Sequence, residues 1–89
     1  MRLSFPNPSR CFDASHRRVC FWGYDRTIEI SFFVGMDALK RLCPDMSDAE
    51  PGFLQAFDAV RNRIQEVADK VYARGGRNSF AYTLAAEDF

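Results

Sequence analysis

The 89-residue chain is short of the residues that usually carry chemistry: one histidine, one tryptophan, three cysteines and no net charge. Each shortage excludes something. Twelve basic residues balance twelve acidic ones, so there is no basic field to gather nucleic acid or an anionic membrane. Cys11, Cys20 and Cys43 are odd in number and widely spaced, with no Cys-x-x-Cys. That pattern argues against a disulfide framework and a structural zinc site, and reads as free buried thiols of a reducing compartment. No His, Cys or acid cluster has metal-ligand spacing. There is no Gly-x-Gly-x-x-Gly and no P-loop, so no cofactor is expected. No run approaches the roughly 18 apolar residues of a membrane span. The opening Met1-Arg2-Leu3-Ser4-Phe5-Pro6 lacks the apolar core of a signal peptide. A cytoplasmic protein with no membrane partner is the expectation.

What is present is a globular composition, 47% hydrophobic and 27% charged. Nine Phe stand beside three Tyr and one Trp. Phe has no polar handle, so this surplus points to a core more than to a recognition surface. The length predicts a single domain over 1–89. Pro6 and Pro8 forbid a helix near the start, so 1–9 is expected as an extended N-terminal arm anchored by Phe5.

Alternating apolar residues from Val19 to Val34 around a Gly/Asp-containing break predict a β-hairpin. Arg10–Ala14 is a short preceding strand, with Ser15-His16 as the turn. A second strand spans Arg17–Trp22, and Gly23–Arg26 forms the connection. A third strand spans Thr27–Val34. Its period of two predicts Ile28, Ile30, Phe32 and Val34 inward, with Glu29, Ser31 and Phe33 outward. In the second strand Val19 and Phe21 oppose Cys20 and Trp22, and alternation alone leaves open which pair faces the core.

Asp37 is the candidate cap of a short helix over Ala38–Cys43 that Pro44 stops. Ser47 and Glu50, three apart, fit a capping box for a long helix with Pro51 in its first turn. Phe53, Phe57, Val60, Ile64, Val67 and Val71 recur at helical spacing over 51–74, about 36 Å at about 1.5 Å per residue. Arg74 suits the helix C-terminus, and Gly75-Gly76 ends it. Asn78–Leu84 reads as a last strand, with Phe80, Tyr82 and Leu84 on one side. The order β-β-β-α-α-β predicts an α+β two-layer domain: a mostly antiparallel sheet of about four strands, covered on one face by one long and one short helix.

The uncovered sheet face is then the candidate functional surface, with Trp22, Phe33, Glu29, Arg18 and Tyr24 as its interaction residues. It suits self-association, such as a homodimer, or a protein partner. A second reading takes Arg10, Arg17, Arg18 and Arg26, interleaved with Trp22 and Tyr24, as a nucleic-acid platform; zero net charge argues against it. A third, thiol-dependent catalysis, would need His16 to meet Cys11, Cys20 and Asp13, whereas His16 reads as a solvated turn residue. Asp45, Asp48 and Glu50, or Glu87 and Asp88, could pair as carboxylates, but their places at a helix start and near the C-terminus suit solvation. No catalytic residue is assigned, and a non-enzymatic protein is expected.

Several positions together resemble a known family. These are Phe5-Pro6, Val19-Cys20-Phe21-Trp22-Gly23, Ala38-Leu39-x-x-Leu42, Phe57-Asp58-x-x-Arg61-x-x-Ile64, Ala68-x-Lys70-x-Tyr72 and Asp88-Phe89. The chain resembles the small bacterial domain of unknown function family 1488 over nearly its whole length. The resemblance implies a short bacterial cytoplasmic α+β protein; it implies no activity and no site residues.

Overall fold

Strand alternation in the sequence becomes a four-stranded sheet. The structure, a computed structural model, describes residues 3–76 and 78–89; Met1 and Arg2 of the expected arm lie outside them. Strands β1 (Cys11–Asp13), β2 (Arg18–Asp25) and β3 (Ile28–Gly35) form an antiparallel meander. Strand β4 (Ala81–Leu84) lies parallel to β3, in the order β1-β2-β3-β4. The chain between β3 and β4 forms α1 (Met36–Leu42), α2 (Glu50–Ala59) and α3 (Arg61–Arg74). A parallel return requires such a crossover, whereas short turns suffice for the antiparallel pairs. The fold is α+β, with a mostly antiparallel mixed sheet.

The helices cover one sheet face. Val19 and Phe21 of β2, Ile30, Phe32 and Val34 of β3, and Leu84 of β4 are all buried. They join Leu39, Phe53, Phe57, Ile64 and Val67 of the helices in one cluster. Each such side chain contributes roughly 1.5–3 kcal/mol on leaving water. Phe32 is central: its ring lies 5.4 Å from Phe21 and 5.9 Å from Tyr82, both stacked. Gly23 takes an inward slot of β2, where a Cβ would stand 2.7 Å from the Phe5 ring. The missing side chain thus admits Phe5, 6.3 Å from Phe21 and 6.4 Å from Phe32. The arm is tied beside it, because Ser4 and Tyr24 exchange both backbone hydrogen bonds, at 2.9 and 2.8 Å.

Several local expectations are corrected. The hairpin turn is Arg26-Thr27, not Gly23–Arg26; Arg26 has φ 60°, the positive value that a tight hairpin turn demands of a central residue. This places Ile28 at the strand's first position, beyond the helical cover, where it is 48% exposed instead of inward. Phe80 likewise lies before β4 and is 68% exposed. Helix α1 begins at Met36, so Asp37 sits inside its first turn and Gly35 occupies the cap position. The Ser47–Glu50 capping box does not form: Ala49 is the cap, and Ser47 Oγ accepts the Ala49 N–H at 3.3 Å. The expected long helix is present as two segments. Val60, at φ −121°, leaves helical geometry and shares its N–H between the Ala56 and Phe57 carbonyls, both at 3.3 Å. The break lets α2 pack on β1 and β2 while α3 packs on β4. The thiols are not uniformly buried: Cys20 is, Cys11 is exposed and Cys43 is intermediate.

Candidate functional site: the open face of the sheet

With Val19, Phe21 and Gly23 inward, the alternate β2 positions Arg18, Cys20, Trp22 and Tyr24 must point away from the helices. The register pairs Cys20 with Phe33, Trp22 with Ser31 and Tyr24 with Glu29. Arg18, Trp22 and Tyr24 of β2 and Glu29 and Phe33 of β3 therefore share the open face. All five sequence-nominated residues come together there, and none belongs to the helix-covered cluster. Trp22, Phe33, Arg18 and Tyr24 are half-buried, and Glu29 is exposed.

The side chains are held in place. The Arg18 guanidinium lies 3.9 Å from the centre of the Phe33 ring, a cation–π stack. Arg18 Nε also donates to Asp13 Oδ2 at 3.0 Å across the β1–β2 pair. Tyr24 OH donates to Glu29 Oε2 at 2.8 Å, which raises the tyrosine pKa. The face thus presents aromatic rings between two ordered polar pairs.

The family comparisons agree with this architecture. The family model described as "Protein of unknown function (DUF1488)" matches residues 3–84. The chain belongs to the DUF1488 family. A crystal structure of a DUF1488 protein of unknown function from Shewanella loihica PV-4 superposes with a TM-score of 0.80. It is 17% identical, and the match covers 93% of this chain and 91% of that one. At that identity the likeness establishes a shared fold. No curated protein matches the chain.

Asp13 was not among the nominated face residues, yet it organises one end of the DUF1488 face. It receives Ser15 Oγ at 2.8 Å, His16 Nδ1 at 3.0 Å and Arg18 Nε at 3.0 Å. The Ser15 hydrogen bond foremost, then those from Arg18 and His16, hold its pKa at about 2. Serine, histidine and aspartate in contact suggest a nucleophilic triad, but the geometry is wrong. Ser15 Oγ and Asp13 both meet the same nitrogen of His16, Nδ1, with the hydroxyl at 3.3 Å. A triad needs the hydroxyl on one ring nitrogen and the carboxylate on the other. This cluster locks the turn.

The other nominated chemistry disperses. Burial first, then the facing Cys11, pushes the Cys20 thiol up to about 11, so it stays protonated near neutral pH and is a poor nucleophile. Arg10 is bidentate on Asp58, at 3.0 and 2.9 Å. Arg17 donates to the Asp48 carbonyl at 2.9 Å and lies over Phe53. Of the four hairpin arginines, Arg10 and Arg17 are thus turned to the helical layer, and Arg18 shares the face with Trp22 and Tyr24. Asp48 pairs with Lys40 and Asp88 with Arg74, each at 2.9 Å, and both carboxyls are held below their ordinary range by these hydrogen bonds. Among the described residues no group of three His, Cys, Asp or Glu could hold a metal ion, and no helix is long and apolar enough to cross a membrane. An open groove of about 680 Å³ passes His16, Arg17, Met36, Arg41 and Glu87, and none of the five nominated residues lines it.

Proposed function

We propose that the chain is a non-catalytic binding or regulatory accessory domain that acts through its open sheet face, on a protein surface or a second copy of itself. One observation carries this reading. The face opposite the helices carries Trp22 together with Phe33 stacked on Arg18 and Tyr24 hydrogen-bonded to Glu29. Aromatic and arginine side chains fixed before binding lose little conformational freedom when a partner docks, which is how interface anchors work. The raised Cys20 pKa and the turn-locking role of His16 support a non-catalytic reading. A cytoplasmic setting fits the free thiols.

A photo-crosslinking amino acid tests the proposal in cells. Placed at position 31, at the centre of the face, it should trap a protein partner or a second copy. Placed at position 70, on the exposed side of α3, it should not. Equal trapping from both positions, or none from position 31, defeats the reading. The nucleic-acid alternative, weakened by the engagement of Arg10 and Arg17 elsewhere, is settled by fluorescence polarisation of labelled oligonucleotides at about 50 mM salt, where phosphate contacts are strong. Binding there that Trp22→Ala abolishes would favour it over the protein-partner reading.

A further inference from the structure

We infer that Cys11 and Cys20 are a redox-active pair that closes to a reversible cross-strand disulfide when a small disulfide oxidant is present.

Two observations place the thiols together. Cys11 of β1 is directly opposite Cys20 of β2. Directly opposed residues of an antiparallel pair point to the same face, with Cα atoms about 4.5–5.5 Å apart. A disulfide accepts Cα separations of about 4.4–6.8 Å. Both residues have their side chains on the open face, because their neighbours Phe12 and Val19, themselves paired, pack with the core. The burial of the two thiols is unequal, since Cys11 is exposed and Cys20 is buried. An oxidant can reach one and not the other.

That asymmetry orders the chemistry. The Cys11 thiolate attacks one sulfur of the oxidant's S–S bond. A mixed disulfide forms on Cys11, and one small thiolate leaves. Cys20, once deprotonated, attacks the Cys11 sulfur and expels the second small thiolate. The two cysteines lose two protons and two electrons, and the oxidant gains both as two thiols. The groups facing Cys20 are Cys11 and Asp13 from β1, Arg18 from its own strand and Phe33 from β3. Burial first, then the Cys11 thiol and the Asp13 carboxylate, disfavour its thiolate, while Arg18 favours it. The closed bond staples β1, a three-residue edge strand, to β2. Cys43, beyond α1, contacts the Ala56 carbonyl and takes no part.

The test uses the full chain with oxidised glutathione as the oxidant. Trypsin cuts after Arg10, Arg17, Arg18 and Arg26, which puts Cys11 and Cys20 on separate peptides. The wild type and Cys43→Ser should both yield these two peptides linked, with two hydrogens lost, and dithiothreitol should separate them. Cys11→Ser should abolish the link and leave Cys20 unmodified. Cys20→Ser should leave the glutathione adduct standing on Cys11. A wild type that retains the adduct on Cys11 with Cys20 free overturns the inference, as do disulfide-linked dimers through Cys11. The surface substitution Cys11→Ser keeps the test interpretable if the buried Cys20→Ser fails to fold. Because the link is read in the isolated chain, its result is separate from that of the crosslinking at position 31.

Discussion

The two faces of the sheet are made from alternate residues of the same strands, yet they are held by different forces. Inward, Val19, Phe21, Ile30, Phe32, Val34 and Leu84 are buried against helices, and among the described residues no polar or charged one is buried. Outward, Arg18, Tyr24, Glu29 and Phe33 are held beside Trp22 by one cation–π stack and directed hydrogen bonds. A one-residue slip of β2 would turn Val19 and Phe21 outward and Arg18, Trp22 and Tyr24 inward. The inward face therefore sets the register, and the outward residues are free to be specialised.

Substitutions should separate the faces. Phe32→Ala should be the most damaging, costing about 3–5 kcal/mol, because the cavity lies among Phe21, Tyr82 and the helices and cannot collapse readily. Against a total of roughly 5–15 kcal/mol, urea denaturation should show a lower midpoint or a chain that no longer folds. Phe33→Ala, one residue away, should cost about 1–2 kcal/mol, since it loses the Arg18 stack and part of its buried area. The same titration should show a cooperative fold, and circular dichroism an unchanged spectrum. Equal costs for the two would mean that the open face is as much a part of the core as the closed one.

The smallest effect should be the pH response of Asp13. Its pKa falls from an ordinary 3.8 to about 2 on folding. A depressed carboxyl stabilises the fold fully above its ordinary value and loses that contribution as pH falls through the folded one. The stability gap between wild type and Asp13→Asn should thus be widest above about pH 4 and shrink towards pH 2. Asp48, Asp58 and Asp88 are also held low by cationic partners, so the wild type continues to lose stability in acid for their sake. Thermal melts of both proteins from pH 2 to 6 check this, and a gap that stays constant would mean that the Ser15, Arg18 and His16 contacts do not hold in solution.

Much of the fold was legible in the sequence. The strict alternation of β3 marked Phe33 as outward, and the spacing of Phe53, Phe57, Ile64 and Val67 marked the covering helix. A two-residue turn at Ser15-His16 already implies the observed pairing of Cys11 with Cys20, a consequence of hairpin arithmetic that the spacing of the cysteines along the chain conceals. The direction of β2 was ambiguous because Cys20 and Trp22 are as apolar as Val19 and Phe21. The break at Val60 carries no proline or glycine as a signal. Arg10 and Arg17 looked equivalent to Arg18 in sequence; Asp58 and the Asp48 carbonyl, remote along the chain, drew them to the helical layer.

Local pattern, then, determined by itself the α+β class, the inward Ile30, Phe32 and Val34 of β3 and the helical stripe, because a backbone period of two or 3.6 converts spacing directly into a face. Only the tertiary structure decided which side of β2 meets the helices and which arginine stays on the open face. Those outcomes depend on partners far apart in the chain, whose competition for one another is settled when the sheet and its helical cover close together.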